Sequence, residues 1–237
     1  MKRRMRTIWL LCVAGAGLSG ALDPVMAFQK PEAKASDQSK PPEGFESIFN
    51  GRDLTGWEGG AQYWKVQDGC LTGTADGTLK YNRFIVWRGG QVENFELRVQ
   101  VKVSPGGNSG LQYRSTERPD LGESVVAGYQ CDVVAGRADY DGMLYEERGR
   151  RILAHTGERV IIDPQGQPWV VGEFKLRAFN KLKGVLGMQV HVGPPMTIQY
   201  RNIHLKKLPA DLPVLTAKEA PVPADARKVV PQGQDKP

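Results

Sequence analysis

The sequence predicts an all-β protein, an antiparallel β-sandwich or jelly roll, from three observations. Many short segments alternate apolar and polar residues, glycine and proline separate them, and no amphipathic segment of helical length stands out. The clearest segment is Phe95–Val103, in which five apolar residues alternate with four polar ones. Such a strand has one face towards the core and one face in water.

Further strands are predicted along the chain, with turn-forming residues between them. They cover residues 64–66, 70–72, 84–86, 110–114, 128–133, 159–162, 170–174, 187–191 and 197–205. The apolar positions of the last segment change parity between Tyr200 and Ile203. A β-bulge near Arg201 and Asn202 is therefore predicted, because one extra residue in a strand resets the alternation.

Residues 1–27 have the three parts of a secretory signal peptide. A basic stretch at 2–6 is followed by an apolar stretch at 8–22 and by small residues before a cleavage site after Ala27. The apolar stretch, about fifteen residues long, is shorter than the roughly twenty that span a bilayer. We therefore expect a cleaved export signal rather than a stable membrane anchor, and a periplasmic or secreted protein.

The mature chain is expected to contain one folded domain with polar flanks. Residues 28–43 have the composition of a flexible linker, residues 44–208 form the domain, and 209–237 form a disordered, proline-rich tail. The net charge is +6, but no extended basic segment lies within 44–208, so a nucleic-acid partner is not expected. Cys70 and Cys131 remain after cleavage; a disulfide between them and two free thiols are both compatible with the sequence.

Three of the predicted strands each carry a glutamine followed two residues later by a charged or basic side chain. The pairs are Gln112 with Arg114, Gln130 with Asp132, and Gln189 with His191. Residues i and i+2 of a strand share a face, and the residues between them point the other way. If the three strands lie in one sheet, its polar face offers amides, a guanidinium, a carboxylate and an imidazole. Such a face suits a polyhydroxylated ligand.

A set of motifs, in order along 44–208, resembles the 3-keto-disaccharide hydrolase domain family. They are GFESIFNGRDLTGW at 44–57, WKVQDG at 64–69, NSGLQYR at 108–114, GYQCD at 128–132, GMLYEERGR at 142–150, GMQVHVGPPM at 187–196 and YRNIHLKKL at 200–208. The resemblance implies a concanavalin A-like β-sandwich. Between residues 174 and 184 this chain is shorter than the family pattern, and a segment with two strands is missing there.

The resemblance also implies an exported hydrolase that cleaves the glycosidic bond of 3-keto-disaccharides. A ketone at carbon 3 acidifies the hydrogen on carbon 2, so a base can remove that proton while the glycosidic oxygen leaves. Addition of water then completes a net hydrolysis. The alternative is a non-catalytic carbohydrate-binding module that uses the same polar face.

Three residues are candidates for the acid and base of this reaction. His191 is the first, because histidine is the residue type whose unperturbed pKa suits proton transfer near neutral pH. Asp132 could orient the imidazole, act as the base, or bind a metal ion. Glu146 lies in a loop-like segment, 145–148, and could act as an acid or a metal ligand. Together the three offer oxygen and nitrogen ligands for a divalent metal ion, but no local ligand spacing supports one, so metal dependence stays open.

The remaining candidates are expected to bind the ligand that the resemblance implies, a small oligosaccharide or keto-sugar. Arg114 could hold a ketone or hydroxyl oxygen and stabilise the enolate that forms as the proton leaves. The substrate-binding set is completed by Gln112, Gln130, Tyr145 and Gln189.

Overall fold

The part of the chain that the structure describes contains fifteen strands and one helical turn, joined by turns and loops. This part, in a computed structural model, comprises residues 38–156, 158–162, 168–173, 183–209, 211 and 227–228. The strands are β1 Glu46–Ser47, β2 Trp57–Gly59, β3 Trp64–Gln67, β4 Cys70–Ala75, β5 Arg83–Trp87, β6 Phe95–Val103, β7 Asn108–Glu117, β8 Val126–Val134, β9 Leu144–Glu147, β10 Arg151–Ala154, β11 Glu158–Ile162, β12 Pro168–Glu173, β13 Val185–Val190, β14 Met196–Lys207 and β15 Arg227–Lys228. The helical turn is a 3-10 helix at Pro119–Leu121. The predicted all-β class is confirmed.

The strands form two main antiparallel sheets and a smaller one. The seven-stranded sheet has the order β10-β9-β8-β7-β13-β5-β2. The five-stranded sheet has the order β1-β14-β4-β3, and β6 also pairs with β14. Strands β11, β12 and β15 form the third sheet. Every strand pair is antiparallel, as the predicted sandwich requires.

The hydrophobic core lies between the two main sheets. Its fully buried side chains come from both of them, and they include Trp64, Leu71, Ile198 and Tyr200 from one sheet and Ile85, Met188 and Val190 from the other. A Cβ atom on Gly73 would lie 2.6 Å from Val190 Cγ2 and 2.8 Å from Trp64 Cζ3. Glycine at this position therefore allows the sheets to pack closely, as interiors at crystal-like density require.

Strands β6 and β14 confirm two detailed predictions. β6 has the predicted bounds, and along it half-buried apolar residues alternate with exposed polar ones. The register of β14 against β6 shifts between Arg201 and His204, and Asn202 has a φ of 49°. The predicted β-bulge is thus present. Because of it, Tyr200 and Ile203 are both fully buried despite their opposite parity.

The bulge also forms hydrogen bonds with residues 38 and 39, which belong to the segment predicted as a flexible linker. The Ser39 amide donates to Asn202 Oδ1 at 2.7 Å, and the Asn202 amide donates to Gln38 Oε1 at 2.9 Å. Gln38 Nε2 donates to the Gly69 carbonyl at 2.8 Å. Residues 38 and 39 are therefore attached to the five-stranded sheet. The predicted signal peptide, residues 28–37, most of the predicted tail, and residues 174–182 lie outside the described residues.

Within the part of the chain that the structure describes, Cys70 on β4 and Cys131 on β8 are free thiols and lie in different sheets. Burial raises the pKa of both, that of Cys131 to about 11, so neither thiol is activated. Among the described residues, no helix is long and apolar enough to cross a membrane.

Candidate functional site

The three glutamines lie on neighbouring strands of the seven-stranded sheet, as the sequence predicts. Gln112 on β7 pairs directly with Gln130 on β8, and β13, which carries Gln189, pairs with the other side of β7. The residues between the predicted pairs pack into the core on the opposite face; they are Tyr113, Cys131 and Val190. We call the face that carries the glutamines the polar face.

Hydrogen bonds run across the polar face in one direction and end on a carboxylate. Ser115 Oγ donates to Gln112 Oε1 at 2.7 Å, and Gln112 Nε2 donates to Gln130 Oε1 at 2.5 Å. Gln130 Nε2 then donates to Asp132 Oδ1 at 2.5 Å. We call this series the amide chain. Its four side chains are between 1% and 4% exposed, and hydrogen bonds in such surroundings reinforce one another.

Asp132 is the titratable group of the amide chain. Burial removes the carboxylate from water and raises its pKa to about 7, although the bond from Gln130 acts in the opposite direction. A carboxyl group with this pKa can take up and release a proton near neutral pH, which is the requirement for a general base or acid. The polar face therefore places one proton-transfer group at the end of an ordered series of donors.

Gly110 makes room for the last link of the amide chain. It pairs with Asp132 across β7 and β8. A Cβ atom on Gly110 would lie 2.2 Å from Gln130 Cδ and 2.4 Å from Gln130 Cγ. The Gln130 side chain therefore lies across the bare backbone of Gly110 on its way to Asp132.

A second group of polar side chains surrounds Glu147, which is 3% exposed. Gln189 Nε2 donates to Glu147 Oε2 at 3.3 Å. Asn82 Nδ2 lies 3.1 Å from Glu147 Oε1 and 3.4 Å from Oε2, and Asn82 Oδ1 accepts the Val192 amide at 2.9 Å. Gln189 Oε1 is buried and has no hydrogen-bond partner among the described residues. That oxygen is a buried hydrogen-bond acceptor to which none of these residues donates.

The structure places Arg114 differently from the sequence prediction. Arg114 has a φ of 51°, and the register of β7 against β8 shifts between Tyr113 and Thr116. This bulge resets the alternation, so Ser115 instead of Arg114 contacts Gln112. The guanidinium of Arg114 donates to the Glu93 carbonyl through Nη2 at 3.0 Å, and burial lowers its pKa. The expectation that Arg114 and Gln112 share the polar face is wrong for this reason.

The structure also corrects the segment that contains Tyr145 and Glu146. The interpretation of 145–148 as loop-like is wrong, because residues 144–147 form β9 and pair with β8. Tyr145 pairs with Gln130 and shares its face, whereas Glu146 points the other way. The Glu146 carboxylate binds Arg150, with Nε to Oε2 at 2.5 Å and Nη2 to Oε1 at 3.0 Å. Glu147 is the carboxylate that strand alternation brings to the polar face.

His191 lies one residue beyond the end of β13 and is half-buried. Its Nδ1–H donates to the Val192 carbonyl, since a carbonyl oxygen can only accept. In the neutral ring this bond leaves Nε2 as the nitrogen that can take up a proton. His191 precedes Val192, whose amide donates to Asn82 Oδ1, and it follows Gln189 by two residues.

Sequence reasoning missed Ser115 and Asn82, and it selected Glu146 instead of Glu147 from the carboxylates of 145–148. Strand alternation could have selected Glu147 had β9 been recognised as a strand, whereas the bulge that brings Ser115 to Gln112 has no signal in the apolar pattern. Asn82 lies between predicted strands and gives no signal in the sequence. Among the described residues, no group of three or more histidine, cysteine, aspartate or glutamate side chains is arranged to hold a metal ion, and Asp132, His191 and Glu146 form no such group. Asp132 and Glu147 are the carboxylates that this face could offer to a cation.

Comparison with known proteins gives the class of this domain. A family profile described as a 3-keto-alpha-glucoside-1,2-lyase-like domain matches residues 44–175, which is more than half of the chain. The chain belongs to this family. Strands β13 and β14, which complete the two main sheets, follow the matched region.

One curated relative and several solved structures resemble the chain. The 3-keto-disaccharide hydrolase of Bacteroides thetaiotaomicron is 33% identical over an 88-residue alignment that covers 32% of this chain and only 29% of that relative. A proposed glycosyl hydrolase of Parabacteroides distasonis has 18% identity and a TM-score of 0.45, with 70% of this chain and 95% of that chain covered. The carbohydrate-binding module CBM66 of Bacillus subtilis has 15% identity and a TM-score of 0.41, with 65% and 97% covered.

Proposed function

We propose that this protein is an exported enzyme that cleaves the glycosidic bond of 3-keto-disaccharides by elimination followed by hydration. The observation that carries the proposal is the amide chain, which ends on Asp132, a buried carboxyl group with a pKa of about 7. Membership of the 3-keto-alpha-glucoside-1,2-lyase-like family supports the choice of substrate.

Asp132 is the base in this proposal. Gln130 binds Oδ1, so Oδ2 takes the proton from carbon 2 of the keto-sugar. The electrons of that C–H bond form a double bond between carbons 1 and 2, and the bond from carbon 1 to the glycosidic oxygen breaks. The protonated imidazole of His191 supplies a proton to the leaving oxygen through Nε2.

Hydration restores both groups. Water adds its oxygen to carbon 1, its released proton returns to His191, and Asp132 returns its proton to carbon 2. The net reaction consumes one water and yields two sugars, with no oxidant or reductant. Gln189 and Tyr145 bind the hydroxyl groups, and the buried Gln189 Oε1 supplies an acceptor for one of them. A role for Arg114 in holding the enolate stays a prediction. In the structure its guanidinium donates to the Glu93 carbonyl instead.

The test is sugar release from a 3-keto-disaccharide by the folded protein, its fold checked by a cooperative thermal melt. We expect Asp132→Asn to lower kcat by at least about 100-fold, the range for loss of a general base. Glu96→Gln, an exposed carboxylate on β6, is the matched control and should keep the wild-type rate. A chelator arm decides metal dependence: loss of turnover that added divalent ions restore indicates a metal ion.

No release by the folded wild-type protein would overturn the proposal. Binding of the same sugar in calorimetry would then indicate the carbohydrate-binding module instead. Failure to bind as well would mean that the buried polar network serves stability alone.

A further inference from the structure

We infer that Asn82 is a positioning residue that holds His191 at the polar face. The inference rests on the proposed function, because that function makes the His191 imidazole the proton donor whose position matters. No substrate contact is required of Asn82. It acts through the backbone of Val192 and through Glu147.

Asn82 stands at the point where the strand leading to His191 ends. Arg83, the first residue of β5, pairs with Val190, the last residue of β13. The antiparallel register therefore brings Asn82 opposite His191, where the ladder of backbone hydrogen bonds stops. Beyond the ladder, the Asn82 side chain supplies the next hydrogen bond, because its Oδ1 accepts the Val192 amide at 2.9 Å.

Val192 transmits this restraint to the imidazole. Its amide donates a hydrogen bond to Asn82 Oδ1, and its carbonyl accepts a hydrogen bond from His191 Nδ1. The chain then continues through Gly193, with a φ of 131°, and through Pro194 and Pro195, which have no amide hydrogen to bind. The Val192 amide is thus one of few donors by which this segment can be attached to the sheet.

The orientation of the Asn82 side chain is set by Glu147. A carboxylate only accepts hydrogen bonds, so the amide nitrogen of Asn82 must face it, and Oδ1 must face Val192. Glu147 is buried and accepts a further bond from Gln189. The series Glu147, Asn82, Val192, His191 therefore fixes the imidazole in the tautomer that leaves Nε2 for proton transfer. It corresponds to the amide chain that ends on Asp132.

Two substitutions separate the contacts of Asn82. Asn82→Ala removes both bonds, whereas Asn82→Asp keeps an acceptor for the Val192 amide and places a second carboxylate against Glu147. Lys80→Ala, an exposed change two residues earlier, is the control. We expect Asn82→Ala to lower kcat about 10- to 100-fold with KM within about threefold, because a displaced imidazole costs rate more than binding. Asn82→Asp should fall between wild type and Asn82→Ala.

Nitrogen-15 NMR of the His191 ring gives a readout that does not depend on turnover. The chain has only three histidines, so the signal can be assigned by comparison with His191→Gln. We expect a single tautomer protonated on Nδ1 in the wild type and a mixture in Asn82→Ala. Wild-type kcat and an unchanged His191 signal in Asn82→Ala would overturn the inference while the proposed function stands. A wild-type protein without turnover would overturn the proposed function, and the NMR comparison would still decide whether Asn82 positions His191.

Discussion

The outward faces of the two main sheets carry similar residues in very different surroundings. On β6 the outward side chains are exposed; they are Glu96, Arg98, Gln100 and Lys102. On β7, β8 and β13 the corresponding side chains are at most 4% exposed; they are Gln112, Gln130, Asp132 and Gln189. The same alternation of apolar and polar residues produces both faces. Burial makes them differ, because it requires the polar groups to bond one another and shifts the pKa of Asp132.

The largest expected difference between the faces is the effect of pH on stability. The pKa of Asp132 is about 7 in the folded protein, against an ordinary value of 3.8. As pH rises from 4 to 7, Asp132 loses its proton in the unfolded chain but keeps it in the folded protein. The free energy of unfolding therefore decreases. The full contribution of this pKa difference is about 4 kcal/mol.

Denaturant unfolding of the wild type and of Asp132→Asn at pH 4 and pH 7.5 checks this prediction. The wild type should lose about 4 kcal/mol relative to Asp132→Asn over this range, since the asparagine does not ionise. Glu96→Gln on the exposed face should keep the wild-type dependence. A difference between wild type and Asp132→Asn that does not change with pH would contradict the burial of an ionisable carboxyl group.

A methyl group at Gly110 should disrupt the buried face by crowding Gln130. The added Cβ atom would lie 2.2 Å from Gln130 Cδ, so Gly110→Ala should cost about 1–3 kcal/mol of unfolding free energy. The double mutant with Gln130→Ala is the control, because removal of the crowded side chain should recover most of that cost. Equal costs of Gly110→Ala in both backgrounds would show that the strain comes from the backbone instead.

The sequence predicted the strands well where alternation is uninterrupted. The bounds of β6 and the bulge in β14 both follow from the parity of apolar residues alone. The shared sheet of Gln112, Gln130 and Gln189 does not follow from parity; it was the condition on which the predicted polar face depended, and the structure confirms it. Burial of one face specifies these features strongly, because a shift of one residue would expose every apolar side chain.

The site was less predictable because it depends on where alternation is broken. The bulge at Arg114 occurs between residues that are polar or small, so no change in apolar parity marks it, in contrast with the bulge at Arg201. β9 is short and carries mostly polar residues, and the sequence therefore reads as a loop. Asn82 acts through contacts between segments distant in sequence. Such contacts leave no local pattern.

A smaller effect is expected at the start of the amide chain. Ser115→Ala removes the hydroxyl that donates to Gln112 Oε1 and leaves a buried acceptor without this donor. The cost should be about 1–2 kcal/mol of unfolding free energy, measured in urea. Ser47→Ala is the control, because the exposed Ser47 hydroxyl donates to the Phe49 carbonyl, which water can replace. Equal costs for the two serines would mean that burial does not strengthen the amide chain.

The smallest effect is expected on the exposed face. Lys102→Ala should change the free energy of unfolding by less than about 0.5 kcal/mol, as is usual for surface substitutions, with an unchanged denaturant slope. A cost above about 1 kcal/mol would mean that the charges of β6 also support the fold. In that case burial alone would not distinguish the two faces, and the site would have to be recognised from the direction of its hydrogen bonds, which run towards Asp132 and towards Glu147.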